Sequence, residues 1–309
     1  MGIERLDEAD AAEVSREQVG DQGSADGDRA VPPERRDQRT YRAEFRATVE
    51  AEYRAAARDS SWDTAVLELR KAWAAHEAKW PSPRDSGSSH APVAPGAWRG
   101  DSDRHLDPEA NAEVDRGCGR IREVGENVIT PAMRAIEAEA PDRHLIGLEY
   151  RLKGTERLKE KVAATLEEQP GLTPRQALSA VPDAIRFTFC YSHEHYVSGV
   201  AVDLEKLTAR GFELAKPIKN SWESDQYKGI NTQWREPATG QLFEVQFHTR
   251  ASFEAKQLSH AAYERIRNPQ TPDAELPELE DFQREVCAKV PIPPGATEIA
   301  YLPRKERDG

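Results

Sequence analysis

Residues 243–249 read FEVQFHT, and the fold turns on how that heptapeptide is read. A period of two puts Phe243, Val245 and Phe247 on one face of an extended strand. Glu244, Gln246 and His248, with Leu242 ahead of them, fall on the other. The first face belongs in a core; the second carries an acid, an amide and an imidazole. Residues 229–235 (GINTQWR) repeat the pattern, with Ile230, Thr232 and Trp234 on one side and Asn231, Gln233 and Arg235 on the other. The intervening EPATG, 236–240, is rich in turn formers, so 229–235 and 241–249 are expected to pair as a hairpin. A sheet face so dense in hydrogen-bonding groups is either a solvated outer face, the common state of antiparallel sheets, or the floor of a polar cleft.

Outward from the hairpin, the pattern predicts helix over 108–139, strand over 145–152 and helix over 156–168. A short helix is expected to Ala180, with Thr173 as N-cap and Pro174 at its first position. Residues 184–191 (AIRFTFCY) form a β-rich run, 196–210 a helical stripe and 212–216 a short strand. Helices over 252–267 and about 277–288 close the folded part. Strands alternating with helices, plus one hairpin, give a mixed β-sheet with flanking helices, the α+β class.

The N-terminal third differs. Residues 1–40 are acidic and nearly free of aromatic and β-branched side chains, so they cannot bury enough surface to offset the entropy of ordering. A helical segment follows over 41–80, divided near Asp59-Ser60-Ser61. Residues 81–107, full of Pro, Ser and Gly, read as a linker, leaving 108–300 as the folded domain. At about 150 residues per domain, 309 residues allow one or two.

Composition bounds the function. Lys and Arg number 43 against 55 Asp and Glu, a formal charge of −12, which argues against broad nucleic-acid binding while permitting a local basic patch. Cys118, Cys190 and Cys287 have no metal spacing and cannot all pair, so a reducing compartment, the cytoplasm, is expected. No stretch approaches about 18 consecutive apolar residues, so no membrane span is expected. The first ten residues lack the charged-then-apolar order of a secretory signal.

The candidate chemistry lies in 145–267. Arg151, Lys153, Arg157, Lys159 and Lys161 crowd into eleven positions, with Arg157 and Lys161 on one helix face. Like charges so close either bind an anion or are balanced by Glu149, Glu156 and Glu160. Lys219 and Lys228 are placed to reach phosphates, Gly229 to admit close backbone approach, and Tyr227, on a rim, to stack on a base; the alternative is an ordinary surface loop. Asp183 opens the 184–191 strand with Arg186 within it. It is either a turn residue or, with Glu244, the second carboxylate of a Mg²⁺ site. No glycine-rich phosphate loop, H-E-x-x-H or nucleophile elbow occurs.

Taken in order, these pieces resemble the RelA/SpoT-type (p)ppGpp synthetase domain over about residues 145–267. Arg151-Leu-Lys153 with Lys161 is similar to the family's basic ATP-binding segment, and Asp183 with Arg186 to its metal-binding Asp and following Arg. Residues 227–231 (YKGIN) resemble its Gly-Tyr-x-Ser-Leu-His segment, whose Tyr stacks on the acceptor guanine. Residues 244–249 (EVQFHT) resemble its Glu-Ile-Gln-Ile-Arg-Thr strand, which holds the second catalytic acid. Glu254, His260 and Tyr263 keep the spacing of its Ala-Glu-x-Gly-x-Ala-Ala-His-Trp-x-Tyr helix. There are departures. Asp183 and Arg186 are three apart where the family has five. Arg157 stands at the family's Ser, Asn231 at its His and His248 at its strand Arg. The pattern looks most like a divergent branch of bacterial toxin modules, without a hydrolase domain.

The resemblance implies a nucleotidyltransferase-like fold with a helical N-terminal extension, and pyrophosphate transfer from ATP to a nucleotide 3′-OH, the alarmone chemistry of the stringent response. It implies Asp183 and Glu244 as catalytic acids holding Mg²⁺, and Arg151, Lys153, Arg157, Lys161 and Arg186 on ATP. Lys219, Tyr227, Lys228, Asn231, Gln246 and His248 then face the acceptor. Three acceptors stay open: GDP or GTP, an adenine nucleotide (ATP or ADP), and a tRNA 3′ end. A catalytically silent nucleotide- or protein-binding module is the other reading. The toxin-like branch implies an immunity or antitoxin partner, and the N-terminal residues a neutralising, delivery or oligomerisation role. No oligomeric state follows from the sequence.

Overall fold

In the computed structural model, residues 60–81, 94–100, 103–268 and 270–299 are described. The expected acidic tail, the first helix of the 41–80 segment and most of the 81–107 linker lie outside the described residues. The second expected helix is α1, Ser60–Lys79, beginning at the anticipated break. Two short strands, β1 (Trp98–Arg99) and β2 (His105–Leu106), pair antiparallel inside the segment read as linker.

Helix α2, Pro108–Val124, starts on Asp107, whose side chain accepts from Ala110 N at 2.8 Å. It runs through a π-turn, Gly125–Ile129, into α3, Thr130–Glu137. Pro131 has no amide to give to the regular ladder, and the Thr130 amide and hydroxyl both donate to the Gly125 carbonyl. Strand β3 is Arg143–Ile146, shorter than the expected 145–152. Gly147, with φ +65°, turns the chain into a helical turn over Leu148–Tyr150, and only Leu152 bridges back to Ile185. Helix α4 (Thr155–Glu168) and α5 (Pro174–Ser179) follow, and Thr173 and Gln176 cap α5 reciprocally.

Strand β4 is Arg186–Tyr191, α6 Tyr196–Ala209, β5 Glu213–Leu214, β6 Lys219–Asn220, β7 Ile230–Arg235 and β8 Leu242–Thr249. Helix α7, Arg250–Arg267, leaves β8 with no loop, through a capping box between Thr249 and Ser252. Helix α8 is Leu276–Ala288. The sheet order is β3-β4-β8-β7-β5, with β6 also on β7. Among the described residues, only β4 and β8 pair in parallel. The architecture is thus α+β, a mixed sheet with flanking helices. The hairpin turn is held by Glu236, whose carboxylate accepts from the Ala238 and Thr239 amides at 3.0 and 2.7 Å.

One sheet face packs under α6. Tyr191 meets Tyr196 edge-on, Tyr196 meets Trp222 likewise, and Phe212 meets Phe243. A buried pair, Arg143 and Asp203 at 2.8 Å, is tied in by the Tyr191 hydroxyl. Helix α1 packs on α7 and α8. Trp62 and Leu69 are buried, Trp62 Nε1 donates to Glu254 at 2.7 Å, Arg250 pairs with Asp63, and His76 meets the buried Glu275. The described residues from Ser61 onward belong to one compact unit, α1 and the β1–β2 hairpin included. No described helix is long and apolar enough to cross a membrane.

Candidate active site

The polar face of the sheet is buried along β8, whereas Asn231 and Gln233 of β7 are half-buried and Arg235 is exposed. Glu244 is 5% exposed and Gln246 and His248 fully covered, so the solvated-face alternative is overturned: α7 lies across these side chains. Register places Arg186 beside Glu244, Thr188 beside Gln246 and Cys190 beside His248. On the other side stand Gln233 and Asn231. Buried polar groups are tolerable only when hydrogen-bonded, and here they form two linked sets.

The first set surrounds the acids. Asp183 sits in a helical turn over Pro182–Ala184 immediately before β4 and is buried. Its Oδ2 accepts from Lys153 Nζ at 2.7 Å, and both its oxygens lie within 3.0 Å of Lys161 Nζ. Burial pushes the carboxyl up, but the two ammonium groups outweigh it and hold it at about 2. Burial drives Lys153 the opposite way, below the ordinary lysine range, against the pull of Asp183. The Glu244 amide donates to Ile185 O at 2.9 Å, two residues beyond Asp183. The Glu244 carboxyl is raised, first by burial, and the nearby negative Asp183 adds to this. Arg186, Lys256 and the Gln246 amide pull it back.

Lys153 and Lys161, expected on ATP phosphates, therefore hold Asp183 here. Arg151 is turned toward the α2–α3 junction. Its Nε donates to Thr130 Oγ1 at 2.8 Å and its Nη1 to Leu148 O at 2.9 Å. Beside it, the Leu152 and Ile185 side chains pack against Gly125 in the π-turn, where a Cβ would meet Leu152 at 2.7 Å. Arg157 is half-buried on α4, one turn before Lys161. Arg186, half-buried, is near enough for its charge to act on Glu244 and on Lys153.

The second set is a chain of hydrogen bonds at the far end of β8. The Tyr227 hydroxyl donates to Asn231 Oδ1 at 2.8 Å and lies 2.8 Å from His248 Nε2. His248 Nδ1 is 2.9 Å from Ser252 Oγ. Burial, with the charges of Lys256 and Arg186 nearby, keeps the imidazole well below its ordinary range and hence neutral. Three expectations change here. Tyr227 is no rim platform: it is 5% exposed and meets the His248 ring edge-on. Lys228 is buried and donates to Trp222 O at 2.9 Å, so its charge is spent on a backbone carbonyl. Gly229, at φ +151°, admits the His248 ring rather than a ligand; a Cβ there would lie 2.8 Å from His248 Cε1. Lys219 is exposed on β6, in register with Asn231.

Sequence reasoning missed Lys256, Thr188 and Ser252. Lys256 Nζ donates to Gln246 Oε1 at 2.5 Å, and Thr188 Oγ1 approaches the same oxygen at 3.5 Å. The signal was the four-residue step from Ser252 to Lys256 to His260 along one stripe of α7. Glu254, which the family spacing singled out, lies on another side of α7 and holds Trp62 and Arg250.

No group of three or more His, Cys, Asp or Glu with metal-site geometry occurs among the described residues. The donor set that is present suits a hard divalent cation in kind, since such ions take one or two carboxylates and complete their shell with water and phosphate. Asp183 already gathers two ammonium groups as stand-in cations.

No family model and no curated protein matches the chain. Among solved structures it is similar to small alarmone synthetase 1 from Bacillus subtilis, at 16% identity and TM-score 0.41, covering 61% of this chain and 96% of that one. The same enzyme bound to its product pppGpp gives 14% identity and TM-score 0.42, covering 58% and 93%. A GTP pyrophosphokinase family protein from Streptococcus pneumoniae gives 15% and 0.39, covering 59% and 89%.

Proposed function

We propose that this chain transfers pyrophosphate from ATP to the 3′-OH of a nucleotide acceptor, GDP or GTP first and ATP or ADP next. The observation that supports the reading is the placement of Asp183, just ahead of β4, near enough for its charge to act on Glu244 on the adjacent parallel strand β8, among Lys153, Lys161, Arg186 and Lys256. Transfer of this kind is mainly positioning and charge neutralisation, and that is what such a cluster supplies. The ordered motifs of the sequence agree with it.

In the proposed step the acceptor 3′-oxygen bonds to the β-phosphorus of ATP. The bridging bond between the α- and β-phosphates breaks and AMP leaves. Glu244, a carboxylate with a raised pKa, takes the hydroxyl proton, as suits a general base working near neutral pH. Lys153 and Lys161 exchange Asp183 for phosphate oxygens as ATP enters, with Arg151, Arg157 and Arg186 completing the donor side. Asp183 and Glu244 would hold Mg²⁺, which would neutralise phosphate charge. Lys219 and Asn231 are assigned to the acceptor, whereas Gln246, expected there too, is fully covered and bonded to Glu244 and Lys256, and acts through Glu244. Tyr227 and His248 shape that end from within rather than by open stacking.

The second reading, a silent nucleotide-binding module, is favoured by one feature: both Asp183 oxygens are already occupied by ammonium groups. One experiment separates the readings. The full chain is incubated with γ-labelled ATP, Mg²⁺ and, in separate reactions, GDP, GTP, ADP, ATP and tRNA, and labelled products are resolved. Label on a nucleotide is expected. Label on tRNA alone would move the acceptor to the tRNA 3′ end. ATP binding with no transfer to any acceptor would leave the silent module.

A further inference from the structure

We propose that Lys256 is a positioning residue for this reaction: by holding the carbonyl end of Gln246, it makes the Gln246 amide present its NH₂ to Glu244 and so fixes that carboxylate in one orientation. The inference rests on the pyrophosphokinase reading and adds to it a residue on a helix, not on the strands that carry the acids.

An amide side chain has one accepting end and one donating end, and in a fully covered site either end can face a given neighbour. Gln246 has no exposed surface. If its carbonyl faced Glu244, two oxygens bearing negative charge would meet without water between them. If its NH₂ faces Glu244, the pair is a charge-assisted hydrogen bond, and this is the arrangement present, with Gln246 Nε2 donating to Glu244 Oε1. An ammonium group can only donate, so Lys256 Nζ on Oε1 allows no other orientation. The Thr188 hydroxyl, at 3.5 Å from the same oxygen, is both donor and acceptor and is at the limit of reach; it does not impose the choice. Lys256 itself is well placed. Helix α7 begins at the last residue of β8 through the Thr249–Ser252 capping box, and Ser252, one turn before Lys256, is within hydrogen-bonding distance of His248. Strand and helix are therefore joined without a loop, and the Lys256 ammonium lies over the ring of Phe253, 5.9 Å from its centroid.

The test uses the full chain with Lys256→Met, Lys256→Arg, Gln246→Met and the Lys256→Met/Gln246→Met double variant. With the acceptor found above, Lys256→Met is expected to lower kcat by about ten- to a hundredfold, the usual loss when a group that orients a reacting one is removed, and to leave KM for ATP and acceptor nearly unchanged. Lys256→Arg, which can still donate to Oε1, is expected to recover most of kcat. The double variant is expected to be no slower than Gln246→Met alone, since one residue acts through the other. The ¹⁵N–¹H signals of the Gln246 amide supply a readout that needs no turnover: two sharp, exchange-protected resonances in the wild type and in Lys256→Arg, lost or broadened in Lys256→Met. Additive losses, a rise in acceptor KM at constant kcat, or unchanged amide signals would each overturn the inference. A wild-type protein that transfers to nothing would instead fail the function while the amide signals still judged the orientation.

Discussion

On the α6 side of β8, Phe243, Val245 and Phe247 meet aromatic and aliphatic neighbours and need nothing but close packing. On the α7 side, Glu244, Gln246 and His248 are equally hidden from water, yet each requires a named partner: Gln246 for Glu244, Lys256 for Gln246, Tyr227 and Ser252 for His248. The same eight residues thus serve two different cores. Leaving any one of these groups without its partner costs about 1–3 kcal/mol, whereas apolar side chains in place of the whole set would carry no such risk. A strand selected for stability alone has no reason to keep the polar set, which is the physical argument for a site on that face.

The largest expected effect breaks the comparison from the polar side. Glu244→Gln is expected to lower pyrophosphate transfer by about a thousandfold, within the range for loss of a general base. Stability is expected to hold or rise above the ordinary carboxylate range, because burial already disfavours the charged form of Glu244 and an amide carries no charge. Transfer assays and urea unfolding of the same preparation check both halves. A variant that kept full transfer would remove Glu244 from its role. Phe247→Ala is the mirror experiment from the apolar face. Phe247 is fully buried, and truncation there costs about 3–5 kcal/mol, read as a fall in the urea midpoint at unchanged slope.

Much of the first core was legible in the sequence. Alternation over 243–249, the turn at 236–240 and the Thr173-Pro174 cap all depend on neighbours within a few residues, and the structure has them. The second core was only half legible. Glu244, Gln246 and His248 were visible as a polar face, but their burial depends on α7 folding back over the strand, a tertiary event no local pattern records. Lys256 and Ser252 came into view only then. The side chains around Gly229 were misjudged for the same reason: a glycine, a tyrosine and a lysine in a row read as an open ligand loop, whereas the His248 ring fills the space the glycine leaves. Strand β3 ends early because Gly147 adopts a left-handed conformation, a preference that a glycine permits without announcing it.

That same glycine contact sharpens the boundary between the two faces. Gly229→Ala places a Cβ 2.8 Å from His248 Cε1 and 3.2 Å from Phe247 O, at a φ that side-chain-bearing residues rarely adopt. The substitution is expected to destabilise by up to about 3 kcal/mol, and to separate Tyr227 from His248. Thermal unfolding gives the first quantity. The tyrosine hydroxyl proton, slowly exchanging while it is held between Asn231 and His248, gives the second. An unchanged melting temperature would mean that β7 can shift away from β8 at no cost, and the packing described for that end would be wrong.

The smallest effect concerns the acids rather than the faces, and pH is the way to reach it. Asp183 is held at about 2 against an ordinary value of 3.8. The unfolded chain therefore binds its proton more readily, so the contribution of Asp183 to stability is fully present above about pH 4 and is lost as pH falls toward 2. The depression corresponds to about 2 kcal/mol. Asp183→Asn has no such proton to take up, so the difference in urea midpoint between wild type and variant is expected to shrink steadily from pH 5 to pH 2.5. Glu244 moves the opposite way, since its folded-state value is raised; it favours the folded state as pH falls through the carboxylate range and partly masks the Asp183 limb. That mask is common to wild type and Asp183→Asn and drops out of their difference, which therefore isolates the Asp183 limb. If the difference does not shrink, the two lysines are not holding Asp183 in its charged form, and the cluster ahead of β4 lacks the charge balance on which the donor side of the proposed site depends.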